Sequence, residues 1–257
     1  MGFLDRVKKD IVKKSGDDVP AEKQAPKVRG LSREAKELLE KLQKEKEQKK
    51  YLGMVIDATA SREASWDRAQ KILRTIFQKL SEDSGLQIRV IYFGGDRVGD
   101  LGWSGDLLSV QKRMAEVGCE RGLTQIVSGF EKFFQDRQKH LPENVILIGD
   151  AFEEEVKDLK KILVTFREKN IRVFSFYDRE GGSARPETDA EMLFRKISKV
   201  TNGVFQEYQE GVYLDDLIVA TATFAAEGMK GLERLVKENN RAALTLKKEL
   251  LQIEEKK

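Results

Sequence analysis

Asp57-Ala58-Thr59-Ala60-Ser61 places a carboxylate and two hydroxyls at alternate positions of one short run. In a tight loop that follows a strand, such a run can aim three oxygens at one point. Hard oxygen ligands of this kind suit Mg²⁺ or Mn²⁺. Taken alone, the run fits a helix N-cap equally well, with the hydroxyls satisfying free N–H groups. Two distant segments add further oxygens. Gly122-Leu123-Thr124-Gln125 opens a helix, which sets the Thr124 hydroxyl in a loop at a helix start, and Val145-Ile146-Leu147-Ile148-Gly149-Asp150 ends an apolar strand with an acid.

Other chemistries fit the residues less well. A phosphatase that opens on an Asp after its first strand needs a second acid two residues on, and that position is Thr59. No Gly-x-x-x-x-Gly-Lys-Ser/Thr run is present, and Gly53 and Gly94-Gly95 do not make a dinucleotide-binding pattern. A Ser-His-Asp triad would have to use His140, which lies in a polar loop before a strand, at the other end of the sheet from Ser61. Cys119 reads as a small packing residue near the Thr124 loop. As a single cysteine, it excludes an internal disulfide and a multi-Cys metal site.

The elements that must position these residues begin at Tyr51. Strand-length apolar runs (Tyr51–Ile56, Leu86–Phe93, Asn144–Ile148, Ile171–Tyr177 and Gly203–Tyr208) alternate with amphipathic helical patterns (65–80, 106–117, 124–138, 153–169, 187–200 and 214–226). Strand–helix alternation predicts a three-layer α/β domain with a mostly parallel sheet. Ligands of such sheets sit at the carboxyl ends of the strands, which directs attention to residues 57–61, 94–96 and 149–153.

From Tyr51 to Ala226 the sequence resembles a von Willebrand factor type A (VWA) domain, a Rossmann-like α/β fold. The resemblance rests on Asp-x-Thr-x-Ser after the first strand, a Thr in a later Gly-containing loop and an Asp after a central strand. It implies a metal-ion-dependent adhesion site (MIDAS) made of Asp57, Thr59, Ser61, Thr124 and Asp150. Thr59 stands where Ser is commoner, and Ala151 where Gly often follows the Asp. In the family the hydroxyls coordinate the metal directly, the aspartates often act through water, and one open position accepts a partner's carboxylate. The implied function is a protein-binding or scaffolding module holding Mg²⁺ (or Mn²⁺ or Ca²⁺), not an enzyme. An interaction protein acting through its flanking helices with a non-functional MIDAS, and a metal-assisted hydrolase, are the competing readings. Trp103, Phe152, Asp96 and Glu153 are candidates for the rim of the site.

The flanks differ in texture. Residues 1–30 read as an amphipathic arm, with Phe3, Leu4, Val7, Ile11 and Val12 on one side, followed by a flexible linker; an anionic membrane surface would bind such an arm weakly. Residues 31–50 read as a charged helix with a narrow seam at Leu31, Ala35, Leu38 and Leu42. Residues 227–257 read as one long charged helix whose seam (Leu232, Leu235, Ala243, Leu246, Leu250, Ile253) is open to self-association or a helical partner. Charge is uneven. Residues 1–50 carry 15 basic and 10 acidic side chains and residues 228–257 carry 8 and 5, so of the totals 47 and 44 the middle holds 24 and 29, a net −5 between basic ends. An acidic body argues against a nucleic-acid-binding core. No apolar stretch is long enough to span a bilayer, no secretory leader follows the basic N-terminus, and a reducing cytoplasm is the simplest compartment.

Overall fold

The computed structural model describes residues 49–60, 63–79, 85–135, 140–178, 189–208 and 214–255. The arm 1–30, nearly all of the 31–50 helix and Ser61 lie outside these residues.

Six strands form one sheet: β1 (Lys50–Asp57), β2 (Leu86–Gly94), β3 (Arg97–Ser104), β4 (Asn144–Gly149), β5 (Arg172–Asp178) and β6 (Phe205–Tyr208). Their order is β3-β2-β1-β4-β5-β6, with every pairing parallel except β2–β3. β1 lies between β2 and β4, with Asp57 opposite Phe93 on one side and Ile56 opposite Ile148 on the other.

Side chains alternate across the sheet, as the pleat requires. Leu52, Met54, Ile56, Ile146, Ile148, Phe174 and Phe176 pack on one face, and Val55, Ile91, Phe93, Val145, Leu147 and Val173 on the other. The first face is covered by α1 (Glu63–Lys79), α2 (Leu107–Ala115) and α6 (Leu214–Glu227), the second by α3 (Ile126–Glu131), α4 (Val156–Glu168) and α5 (Asp189–Val200). This is the mixed α/β, mostly parallel architecture anticipated above. Gly53 is required in β1 because a Cβ there would overlap the Phe133 ring.

The segment 97–104 is a strand that lies outside the apolar runs of the sequence. Arg97-Val98-Gly99-Asp100-Leu101-Gly102-Trp103-Ser104 has two glycines and little apolar alternation, so its strand propensity is poor. It pairs as an antiparallel edge, half-buried along most of its length, with Val98 and Trp103 against one core face and Leu101 against the other. Arg89 of β2 anchors it through a bidentate pair with Asp100 (3.1 and 2.6 Å), and Arg89 Nη2 also donates to the Lys132 carbonyl at 3.0 Å. Burial alone would raise the Asp100 pKa; the hydrogen bonds and charge of Arg89 and the Gly102 N–H outweigh it and hold the carboxyl below its usual range.

The expected single C-terminal helix is two, α7 (Met229–Lys237) and α8 (Arg241–Glu255). Asn239 turns in the left-handed region (φ 64°), the Asn240 N–H closes α7 on the Leu235 carbonyl, and the Asn240 side chain caps α8 by accepting the Ala243 N–H at 2.8 Å. The apolar seam is not left over for a partner. Leu232, Leu235, Ala243, Leu246 and Leu250 are at most 2% exposed and join the core over α6. The physical cause is α6 itself, whose residues from Leu217 to Ala225 are all buried; a helix apolar on every side needs a second cover outside the sheet.

Candidate metal centre

Asp57 ends β1, flanked by the ends of β2 and β4, and is 1% exposed. Its Oδ1 accepts the Thr59 N–H at 2.8 Å, closing a local turn at the strand end. The carboxylate leans toward β4: a methyl placed on Gly149 would lie 3.9 Å from Asp57 Oδ2. Asp150, the next residue, is half-buried at the same edge.

The loop carrying Thr124 is knitted to this edge through backbone. Thr59 forms a parallel bridge with Glu120; the Glu120 carbonyl accepts the Ala60 and Gly95 N–H groups, and the Glu120 N–H donates to the Ala58 carbonyl. Gly122 passes so close to Gly95 that any Cβ would overlap the Gly95 carbonyl. Thr124 (3% exposed) forms a reciprocal pair with Glu153: its N–H donates to Glu153 Oε2 at 2.9 Å, and its Oγ1 accepts the Glu153 N–H at 2.8 Å. Glu154 accepts the Val127 N–H at 2.8 Å and the Ser128 N–H at 3.3 Å, so consecutive glutamates hold the start of α3. Burial raises the Glu154 pKa against the lowering effect of those N–H groups. Sequence reasoning missed Glu154, whose only signal is an acidic triplet after Asp150.

Asp57, Thr59, Thr124 and Asp150 thus line one cleft of about 490 Å³ with Ala60, Arg121, Gly122, Ala151 and Glu153. Ser61 lies outside the described residues. The other rim candidates separate. Glu153 lines the cleft. Asp96 is exposed in the β2–β3 turn at the same edge and does not line it, and Phe152 packs against the core of the second sheet face. Trp103 does not flank the site. It pairs with Arg89, four residues or about 13 Å along the strand from the Phe93 level of Asp57, and its ring meets Tyr51 edge-on at 5.0 Å. His140 stacks on that same tyrosine at 4.7 Å, far from Asp57. Cys119 is half-buried, and burial pushes its thiol up to about 11, with the negative charges of Glu63, Asp67 and Asp57 adding to the effect.

The described residues hold no group of three or more His, Cys, Asp or Glu side chains placed for a metal ion. Of the predicted ligands, two carboxylates and two hydroxyls line the cleft, with Glu153 beside them. The set is all oxygen, which fits Mg²⁺, Mn²⁺ or Ca²⁺ better than an ion that prefers nitrogen and sulfur. The Thr124 oxygen already accepts one hydrogen bond and keeps a second lone pair. Arg121 at the cleft is an unforeseen cation, with no carboxylate partner among the described residues.

No protein-family model matches the sequence, nor does any curated protein. Among solved structures the chain is similar to the VWA domain of SpRpn10, with a TM-score of 0.50 and 12% identity over 67% of this chain and 94% of that one. It is also similar to proximal thread matrix protein 1 from the mussel byssus with a zinc-occupied MIDAS motif (TM-score 0.47, 18% identity, 61% and 41% covered) and to the pilus adhesin SpaC from Lactobacillus rhamnosus GG in its open conformation (0.48, 9%, 70% and 30%). The first likeness, with the sheet order above, defines the class: a Rossmann-like fold of VWA type. At such low identity it speaks for the fold alone, and the two weaker likenesses add no argument.

Proposed function

We propose that this protein is a binding module that holds a divalent cation, Mg²⁺ foremost, at Asp57, Thr59, Ser61, Thr124 and Asp150, and that a protein partner offers an Asp or Glu carboxylate to that cation. One observation supports the reading: Asp57, Thr59, Thr124 and Asp150, from three loops, line a single cleft at the carboxyl edge of the sheet. A bound cation would supply a Lewis-acidic point of attachment. Mg²⁺ takes about six oxygens and keeps waters readily, so a site with two carboxylates leaves room for an outside acid. The protein's part is to hold the donors, through the Asp57 turn and the Thr124–Glu153 pair.

The reading includes a reducing, cytoplasmic setting, on the strength of the single cysteine. Weak contact of residues 1–14 with an anionic membrane is a separate proposal, tested by liposome co-sedimentation at low and high salt. The described helices include none long and apolar enough to cross a membrane.

The central test is calorimetry of Mg²⁺ and Mn²⁺ binding to the full chain and to Asp57→Ala and Asp150→Ala. Saturable binding by the wild type and its loss in both variants, with circular dichroism unchanged, is the expected result. No binding by the wild type, or undiminished affinity in both variants, ends the assignment.

A further inference from the structure

The opposite edge of the sheet carries a second cleft, of about 670 Å³, where β1, β4 and β5 begin. Four cations line it: Lys50 and Arg172 from strands, Arg167 from the last turn of α4 and Lys169 just beyond it. Among the described residues none of the four has a side-chain hydrogen bond or ion pair; Arg172 only lies over the Phe224 ring, 5.7 Å from its centre. Two acids share the cleft. They are Glu143 and Glu227, the latter also paired with Arg234 at 2.8 Å, so the described lining residues carry four cations and two acids, two net positive charges.

Helix ends do not explain this arrangement. α4, α5 and α6 all finish here, and cations favour helix C-termini. Yet carbonyls of their last turns already take backbone donors: the Ile171 N–H meets the Phe166 carbonyl, Gly203 that of Ser198, and Gly228 that of Phe224, at 2.8 to 2.9 Å. The cations are not serving as caps. A second observation points the same way. Asn144 is 6% exposed, lines the cleft, and its amide has no partner among the described residues. Its polar atoms reach the water of the cleft and are open to a ligand there.

We infer that this cleft is an anion site for a small organic phosphate carrying two phosphoryl groups. Two guanidinium forks, two ammonium groups and the Asn144, Asn170 and Asn202 amides offer far more N–H donors than one carboxylate can accept. A phosphoryl group brings a charge of about −1.5 to −2 and three acceptor oxygens, so a pair of them engages the donors of all four cations. The volume is in the range of about 300–1,000 Å³ usual for small-ligand clefts and leaves room for the body that bears the phosphates.

The test is titration calorimetry of the full chain with pyrophosphate, inorganic phosphate and a hexaglutamate peptide, at matched ionic strength and with EDTA present so that metal binding plays no part. Saturable one-to-one pyrophosphate binding is expected, with inorganic phosphate weaker. Arg167→Gln with Arg172→Gln should weaken it about ten- to a hundredfold, while Asp57→Ala leaves it unchanged. Should the Arg172 variant fail to fold, Arg167→Gln with Lys169→Gln, both exposed, replaces it. Absence of saturable binding, affinity indifferent to these substitutions, or hexaglutamate bound as tightly as pyrophosphate overturns the inference.

Discussion

The two edges of the sheet solve opposite electrostatic problems in opposite ways. At the carboxyl edge Asp57, Glu153 and Glu154 accept backbone N–H groups, so the loops there are bound to one another before any ligand arrives. At the amino edge Lys50, Arg167, Lys169 and Arg172 bond to nothing among the described residues. The acids stand near helix starts, as helix dipoles favour, whereas two of the cations, Lys50 and Arg172, come from strands. The difference lies in who supplies the counter-group. Backbone supplies it at one edge, and the other edge leaves it to solvent or a ligand. Side chains at the first edge therefore carry structure, whereas Lys50, Arg167 and Lys169 at the second can be changed without disturbing the fold.

Arg89 is the exception that sharpens this contrast, being a cation with its counter-charge built in. Its side chain is 5% exposed, and Asp100→Ala would strand it. Asp100 is itself partly exposed, so chemical denaturation should show a loss of about 1–3 kcal/mol, the cost of leaving the buried guanidinium under-satisfied. The pH dependence has a definite sign. The native Asp100 pKa is lowered, so its contribution is present above the ordinary carboxylate range and is lost as pH falls through the native value. Acid titration of stability should be steeper in the wild type than in Asp100→Asn; identical profiles would contradict the role given to the pair.

The backbone knit at the carboxyl edge comes next, with an effect of similar size. Gly122→Val forces the Thr124 loop away from Gly95 and should cost roughly 1–3 kcal/mol. Divalent affinity should drop by about ten- to a hundredfold, because the loop that aims Thr124 moves. Retention of full metal affinity would show that the loop contact is not what orients the donors. The smallest effect belongs to the amino edge. Lys169→Gln and Lys50→Gln orphan no partner, so each should change stability by no more than about 0.5 kcal/mol. A loss several times larger in thermal melts would mean that these cations are structural after all.

Much of this was legible from residues in order along the chain. The strands β1, β2, β4 and β5 are continuous apolar runs because neighbours cover both faces, and such runs stand out in any highly charged sequence. Asp57, Thr124 and Asp150 each mark the point where an apolar run or a glycine loop stops, so local pattern could name them. What escaped is what local pattern does not encode. β3 is held by Arg89 rather than by its own composition. The break between α7 and α8 was written in Asn239-Asn240, a left-handed closure followed by a cap, but the heptad-like leucines on either side masked it. The amino-edge cleft is assembled from residues between Lys50 and Gly228, and no window of sequence contains it.

The burial of α6 has a consequence for how the domain comes to exist. Synthesis proceeds from the N-terminus, so all six strands and their facing helices emerge before α7 and α8. Until then α6 shows water an apolar face that will finally hold Leu232, Leu235, Leu246 and Leu250. At about 5–20 residues per second, the interval before Glu255 follows Glu227 out of the ribosome is on the order of a few seconds. During that time the nascent chain is a sticky intermediate. A release factor acting early, or a protease nicking the Gly228 turn, would leave not a smaller working domain but one inclined to aggregate.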